Sequence, residues 1–268
     1  MNKRQTALVT GSGQGIGYAL AKACAMRDID VLLVSLPGED LQARAAALKQ
    51  EHNITAHYFE TDLSQPENCQ ALYEYVINNN IPVNILINNA GIGSSGPFED
   101  FSTQFYSKQV ALNVAAPVLL TRLFIPLLKQ QPQSYILYTG SLGGFFNMPN
   151  KEVYGASKAF ILSFSKALRN RWEGSNISIS VVCPGPVDSN ARLLEIHKNL
   201  KGIAKKSVMT PDEVAAIAIP AMLAGKKVII PGNINKLFLF LNRLVPQAIQ
   251  LKIIRKEMER QAKMGVKK

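Results

Sequence analysis

Cysteine is scarce in this chain: only Cys24, Cys69 and Cys183 occur in 268 residues, on or beside apolar segments and without metal-ligand spacing. A disulfide framework and a structural metal site are therefore not expected, and buried free thiols in a reducing compartment are. No internal repeat and no low-complexity linker interrupts the sequence, which excludes a repeat array and a string of small modules. Met1-Asn-Lys-Arg4 runs directly into an apolar segment. That leaves no room for a signal peptide, so a cytoplasmic location is expected. Acidic residues are also in deficit, 19 against 30 Lys and Arg, and the formal charge of +11 raises the question of an anionic partner. No recognised nucleic-acid motif accompanies that charge, and no nucleic-acid partner is expected.

What remains is the composition of one folded domain. Hydrophobic residues make up 47%, a globular value, and the length suits one large core. Short apolar runs at Ala7–Thr10, Val31–Ser35, Ala56–Phe59, Val83–Asn88, Tyr135–Thr139, Ile177–Cys183 and Val228–Ile230 read as strands. Amphipathic stretches at Tyr18–Arg27, Asp40–Glu51, Pro66–Asn78, Thr103–Lys129, Glu152–Trp172 and Pro211–Ala224 read as helices. Alternation of the two predicts an α/β fold, a doubly wound parallel sheet flanked by helices. Ligands of such sheets bind beyond the carboxyl ends of the strands.

Two motifs give that sheet a chemical meaning. Thr10-Gly-Ser-Gly-Gln-Gly-Ile-Gly17 stands between a strand and a helix, the context that a dinucleotide-binding turn requires. Its glycines permit close backbone approach, and the helix N-terminus attracts a pyrophosphate. Tyr154 and Lys158, four apart on a helix, share one face. An ammonium there is expected to favour the phenolate and lower the tyrosine's pKa, normally near 10, toward the range of a general acid for a carbonyl oxygen. A chance Tyr–Lys pair on a solvated helix is the plainer alternative.

Thr10-Gly-x-x-x-Gly-Ile-Gly17, Asn88-Asn-Ala-Gly91, Asn113, Ser141, Tyr154-x-x-x-Lys158 and Pro184-Gly185 occur in the order found in the short-chain dehydrogenase/reductase family, which the chain resembles over roughly residues 5 to 232. The resemblance implies a single-domain Rossmann-type fold over 1–232 with a lid at about 186–208, while the residues themselves read as a basic amphipathic extension over 233–268. It implies an enzyme that interconverts a ketone and a secondary alcohol by hydride transfer. Tyr154 would act as general acid, Ser141 would orient the substrate oxygen, and Lys158 would stabilise the phenolate and bind the nicotinamide ribose. Asn113 would distort its helix and hold a water leading to Lys158. Thr139 is the hydroxyl competing with Ser141, and strand alternation is expected to set it apart. The cofactor site would comprise Gly11, Ser12, Gln14, Gly15, Ile16, Gly17, Ser35, Asp62, Leu63, Asn89, Ala90, Gly91, Tyr154, Lys158, Pro184, Gly185, Val187 and Ser189. Asp62 would meet the adenine ring, unless it only caps the helix beginning near Pro66. The asparagines at 88 and 89 are read as partly bracing the sheet.

The cofactor is read as NADP(H) in preference to NAD(H), because no acid stands at Ser35 to repel a 2′-phosphate. Leu36 and Gln14 supply no cation to attract one, and Glu39 and Asp40 are assigned to the first turn of the next helix. Eleven Lys and Arg against Glu257 and Glu259 follow residue 225, interleaved with Leu237-Phe-Leu-Phe-Leu241 and with Ile249, Leu251, Ile253 and Ile254, and Pro246 is poised to start a helix. None of these runs is long enough to span a bilayer. The tail either lies on an anionic membrane surface, peripheral to its inner face, or packs over the substrate cleft or a partner subunit. The tail resembles those of family members acting on lipophilic ketones, which implies a 3-oxoacyl, 3-ketosphinganine or steroid-like substrate. The lid, with Leu193, Leu194, Ile196, Leu200, Ile203 and Val208 among basic residues, suits a greasy chain carrying an anionic head such as an acyl thioester. A mobile lid that says little about the ligand is the alternative, and His197 is read as surface decoration. A homo-oligomer, dimer or tetramer, pairing through the long helices is implied by the resemblance. Rival functions are a catalytically silent nucleotide sensor, a membrane-recruited scaffold, or a reductase of small sugars or polyols.

Overall fold

The computed structural model describes residues 4–245, together with Ile249, Lys252, Arg255 and Lys256. The helix expected to start at Pro246, with Leu251, Ile253 and Ile254, lies outside the described residues. Seven parallel strands form one sheet: β1 (Thr6–Thr10), β2 (Asp30–Ser35), β3 (Ala56–Glu60), β4 (Val83–Asn88), β5 (Ser134–Thr139), β6 (Ile177–Val182) and β7 (Val228–Ile229). Their spatial order is β3-β2-β1-β4-β5-β6-β7. The chain winds outward from β1 in one direction and from β4 in the other, so a crevice opens at the carboxyl ends of these two central strands.

Between the strands run α1 (Gly15–Ala25), α2 (Leu41–His52), α3 (Pro66–Asn78), α4 (Thr103–Val110), α5 (Ala116–Lys129), α6 (Glu152–Arg171), α7 (Ala191–Lys198), α8 (Gly202–Lys206), α9 (Pro211–Leu223) and α10 (Asn233–Leu244). Period-two alternation sends side chains to both faces, and because both are covered the strands read as continuous apolar runs. Ala7, Val9, Val31, Leu33, Ile85 and Ile87 pack with α1, α2 and α9. Leu8, Leu32, Val34, Leu86, Ile136 and Tyr138 pack with α3, α5 and α6 on the other face. All three cysteines are free and buried, and burial pushes each thiol up, Cys24 and Cys183 to about 12 and Cys69 to about 11.

The stretch expected as one helix over Thr103–Lys129 is broken in its middle by a π-helical turn, Ala111–Ala115, with Asn113 at its centre. By length and composition this is the one helical run among the described residues that is apolar enough to cross a membrane. Its inner side, Leu120, Phe124 and Leu128, is instead buried in the core shared with α3 and the sheet. It is a core helix.

Candidate active site

The glycine turn is shaped by what it touches. Gly11 has φ +64° and Gly15 φ +55°, the left-handed region where a side chain is strained. A Cβ on Gly11 would come within 2.8 Å of Ala90 Cα, and one on Gly17 within 2.0 Å of the Gly11 carbonyl oxygen. The turn is therefore pressed against the loop that leaves β4. Thr10 forms the seam: its hydroxyl accepts from the amides of Asn89 and Ala90 at 2.9 and 3.0 Å. Asn89 returns the contact, donating through Nδ2 to the carbonyls of Thr10 and Gly11. At the start of α1, Gln14 supplies no side-chain cap, so the first-turn amides remain as donors facing the crevice side of the turn. Gln14 is exposed, Ile16 is partly buried, and Gly15 lies against the Ser189 backbone, where a Cβ would meet the carbonyl oxygen at 2.7 Å. This cradle of close-packed glycines and free amides fits a dinucleotide.

Two expected cofactor contacts play different parts. Ser12 is fully buried, and its amide and hydroxyl are both engaged by Val34: the Ser12 N–H donates to the Val34 carbonyl, and the Val34 N–H donates to Ser12 Oγ at 2.8 Å. It braces the turn on β2, with its amide and hydroxyl both engaged there. Asp62 accepts from the Ser64 amide and pairs with Lys108 Nζ at 2.8 Å. Burial pulls its carboxyl upward, but the bonds from Lys108 and Ser64 outweigh that and hold it below the usual range. Leu63 is buried beside it.

Glu39 departs most from its expected place. It is not in the first turn of α2, which begins at Leu41 after Asp40 in the left-handed region. Its side chain reaches back so that Ser35 Oγ donates to its carboxylate, and it covers Gly13, where a Cβ would collide with Oε2. An acid thus stands at the end of β2, supplied from four residues downstream.

The other half of the site is built on the carboxyl ends of β4 and β5. Asn113 is 1% exposed. The π turn swings its carboxamide inward, where Oδ1 accepts from the Ile92 amide at 2.9 Å and Nδ2 donates to the Ile92 carbonyl and to Ser157 Oγ. Ser157 in turn donates to the Tyr154 carbonyl at 2.7 Å, so Asn113 fastens the loop after β4 to the first turns of α6. A π turn is where a helix commonly trades regularity for such a function. Gly91 fits between these groups: a Cβ there would lie 3.0 Å from Asn113 Oδ1 and 3.5 Å from Lys158 Nζ. Gln109, which the sequence does not single out, is fully buried and donates to the Ile92 carbonyl and Ser94 Oγ.

Ser141 follows β5 and accepts from the Gly143 amide at 3.0 Å, leaving its O–H directed elsewhere. Thr139 does not compete with it. Alternation is not the reason, since residues two apart share a face; the Thr139 hydroxyl donates to Asn89 Oδ1, and the strand ends there. Lys158 is buried and donates from Nζ to the Thr139 carbonyl at 2.9 Å, with the Tyr154 ring centroid 5.8 Å away. The lowered tyrosine pKa expected from the i, i+4 spacing is not found. Burial raises the Tyr154 phenol, the neighbouring Ser141 hydroxyl pulls it back in part, and Cys183 raises it further. Lys158 is the group brought toward neutrality, to about 8, by its own burial.

Pro184, Gly185, Val187 and Ser189 form the loop after β6. The Pro184 carbonyl accepts from the Leu142 amide, Val187 bridges to Met209, and Asn235 of α10 lies so close to Gly185 that a Cβ would meet Oδ1 at 2.5 Å. The segment expected to form a lid folds into α7 and α8. His197 is not surface decoration: it is buried, with Nδ1 2.6 Å from Asp188 Oδ1, and ties α7 to this loop. Only tertiary contact distinguishes such a histidine from a surface one.

Residues 5–198 match a family described as short chain dehydrogenase. The ketoacyl reductase HetN of a Nostoc species is 28% identical over 251 residues, spanning 91% of this chain and 86% of that protein. A short-chain dehydrogenase from Sphingobium yanoikuyae, solved in complex with NADPH, superposes with a TM-score of 0.77 at 29% identity, covering 85% of this chain and 88% of its own. A bulky-bulky ketone specific alcohol dehydrogenase from Comamonas testosteroni superposes at 0.76 with 28% identity, over 90% and 91% of the two chains.

Proposed function

The chain belongs to the short-chain dehydrogenase family, oxidoreductases that interconvert ketones and alcohols with a nicotinamide cofactor, and from that premise we propose how its own residues act and on what. A nicotinamide dinucleotide held by the glycine turn at Gly11–Gly17 and the loops after β4 and β6 would supply or accept the hydride. Tyr154 carries the proton: held neutral by burial, it donates from Oη to the substrate oxygen as hydride arrives, and takes the proton back in the oxidative direction. Ser141, its oxygen already accepting from Gly143, donates its O–H to the same substrate oxygen. Lys158 provides the charge that the phenolate needs. Asn113 is a positioning residue, acting through Ile92, Ser157 and the Tyr154 carbonyl. The observation that carries this reading is the convergence of Asn113, Ser141, Tyr154 and Lys158 around one crevice beside the glycine turn. We assign residues 1–232 to the catalytic domain and 186–208 to its lid, and pairing of protomers through α4–α5 and α6.

The substrate is a hydrophobic carbonyl compound. Phe146, with Met148 close to Gly143 beside Tyr154, borders the mouth, and Phe238 meets Phe146 edge-on with ring centroids 5.4 Å apart. Exposed Leu194, Ile196 and Ile203 continue the apolar surface onto the lid. The test is consumption of NADH and of NADPH with a long-chain 3-oxoacyl thioester, a bulky diaryl ketone and a ketose. Turnover of the first two and not the third is expected; a strong preference for the ketose overturns the lipophilic reading.

For the cofactor, the sequence favours NADP(H) because Ser35 is not acidic. Glu39 removes that argument. Its carboxylate at Ser35 and Gly13 is suited to accept from a free ribose 2′-hydroxyl and opposes a 2′-phosphate, so we propose a preference for NAD(H). Two like charges about 5 Å apart near a surface repel by roughly 3 kcal/mol before screening and side-chain rotation reduce it. Glu39→Gln is expected to raise kcat/KM for NADPH about tenfold, the equivalent of about 1.4 kcal/mol, with NADH changed little. Wild-type preference for NADPH with no response to the substitution would sink the assignment. A membrane contact through 233–268 fits a substrate of this kind.

A further inference from the structure

Helix α10 is built the wrong way round for a helix covering a domain. Among its described side chains, Asn235 and Leu239, one turn apart, are the buried ones, and Asn235 Nδ2 donates to the carbonyls of Pro231 and Ser207. The outward face is apolar: Leu237 is 56% exposed, Phe238 51%, Phe240 59% and Leu241 48%. A single exposed apolar residue is ordinary, whereas four on one helical face make a contiguous patch that marks an interaction surface. The patch adjoins the mouth of the site, through the Phe146–Phe238 contact, and the lid, through Asn235 and Ser207. On the lid, Ile203 is 75% exposed between Lys201, Lys205 and Lys206, all exposed. No acidic residue occurs between Glu213 and Leu244, while Lys226, Lys227, Lys236 and Arg243 do.

We propose that this face, α10 with the α8 end of the lid, docks on an anionic phospholipid surface and opens the site toward the bilayer. The proposal rests on the reading of a hydrophobic carbonyl substrate and adds where that substrate comes from. Charge selects the occupant. A second copy would bring the same cations against these across a two-fold axis, whereas an anionic lipid surface neutralises them while the rings and leucines enter the boundary region. An interfacial helix of this kind lies in the plane of the surface and needs no spanning length.

The test is sedimentation of the full-length protein with vesicles of phosphatidylcholine alone and of phosphatidylcholine mixed with phosphatidylglycerol. Binding to the mixed vesicles only, weakened by salt, is expected. The double variant Phe240→Glu, Leu241→Glu is expected to bind at least tenfold more weakly, with an unchanged melting temperature and unchanged turnover of a water-soluble ketone. Absence of binding to the anionic vesicles, equal binding to both compositions, or a double variant that binds as well as the parent overturns the proposal. So does a double variant that loses a dimer seen by analytical ultracentrifugation, because the second copy is then the occupant. Turnover of the soluble ketone is read separately, so a failed dehydrogenase assignment and a failed docking surface are told apart.

Discussion

Replacing Tyr154 with phenylalanine is expected to lower kcat/KM for ketone reduction by about 10²- to 10⁴-fold, the range of one general acid. The ring stays and only the hydroxyl goes, so the melting temperature and nicotinamide affinity are expected to remain close to those of the parent. That pattern separates a proton donor from a packing residue. A Tyr154→Phe enzyme that retains a third or more of its activity would remove the tyrosine from the mechanism. The pH profile adds an independent mark. Burial lowers Lys158 to about 8, so its ammonium is present below that pH and lost as pH rises through it. Reduction needs the charged lysine and the neutral phenol, and the phenol lies above its ordinary value. The kcat/KM for reduction is therefore expected to fall above about pH 8. In Lys158→Arg that limb moves out of range, because guanidinium keeps its proton above pH 12, although the absolute rate drops. A limb that stays in place in the arginine variant would assign it to another group.

The second large effect is expected at Asn113, which touches no substrate in this reading. Asn113→Ala leaves the partly buried Ile92 amide without its acceptor and takes a partner from Ser157; the Ile92 carbonyl keeps its bond from Gln109. An orphaned donor that is only partly buried costs about 1 kcal/mol, the low end for such groups, and each kcal/mol lowers the melting temperature by about 2–4 °C in a domain near this size. Loosening the tie between the loop after β4 and the Tyr154 turn is expected to reduce kcat about 100-fold, as misplacement by an ångström can. Ser157→Ala removes only one of these bonds and should cost less in both measurements. If Asn113→Ala melts like the parent and turns over at full rate, the π turn is a helical irregularity with no part in the site.

Most of the architecture was legible because its signals are local. Val83–Asn88 and Pro66–Asn78 are found with the expected boundaries, since the apolar run of the first fills β4 and Pro66 suits the first turn of α3. Asn113 was noticed as an amide that a helix interior disfavours, and the turn around it is irregular in the way such a residue permits. A local rule misleads where the deciding neighbours are distant along the chain. Spacing placed an ammonium beside Tyr154, but the same burial that brings the pair together raises the phenol and lowers the lysine. Alternation does not separate Thr139 from Ser141, because residues two apart share a face.

By itself the sequence determined the order of strands and helices, the glycine turn, and the identity of the polar residues carried to the strand ends. Each depends on chain periodicity, glycine conformation or functional-group chemistry within a few neighbouring positions. Tertiary structure alone decided which of those groups are free to act. Ser12 is consumed by Val34 and Thr10 by Asn89 and Ala90, Glu39 folds back onto Gly13, His197 is buried against Asp188, and the apolar face of α10 is left outward. Hydrogen-bond partners and burial are set by segments distant along the chain, and they decide whether a polar group is a brace or a ligand and whether an apolar face is core or contact surface.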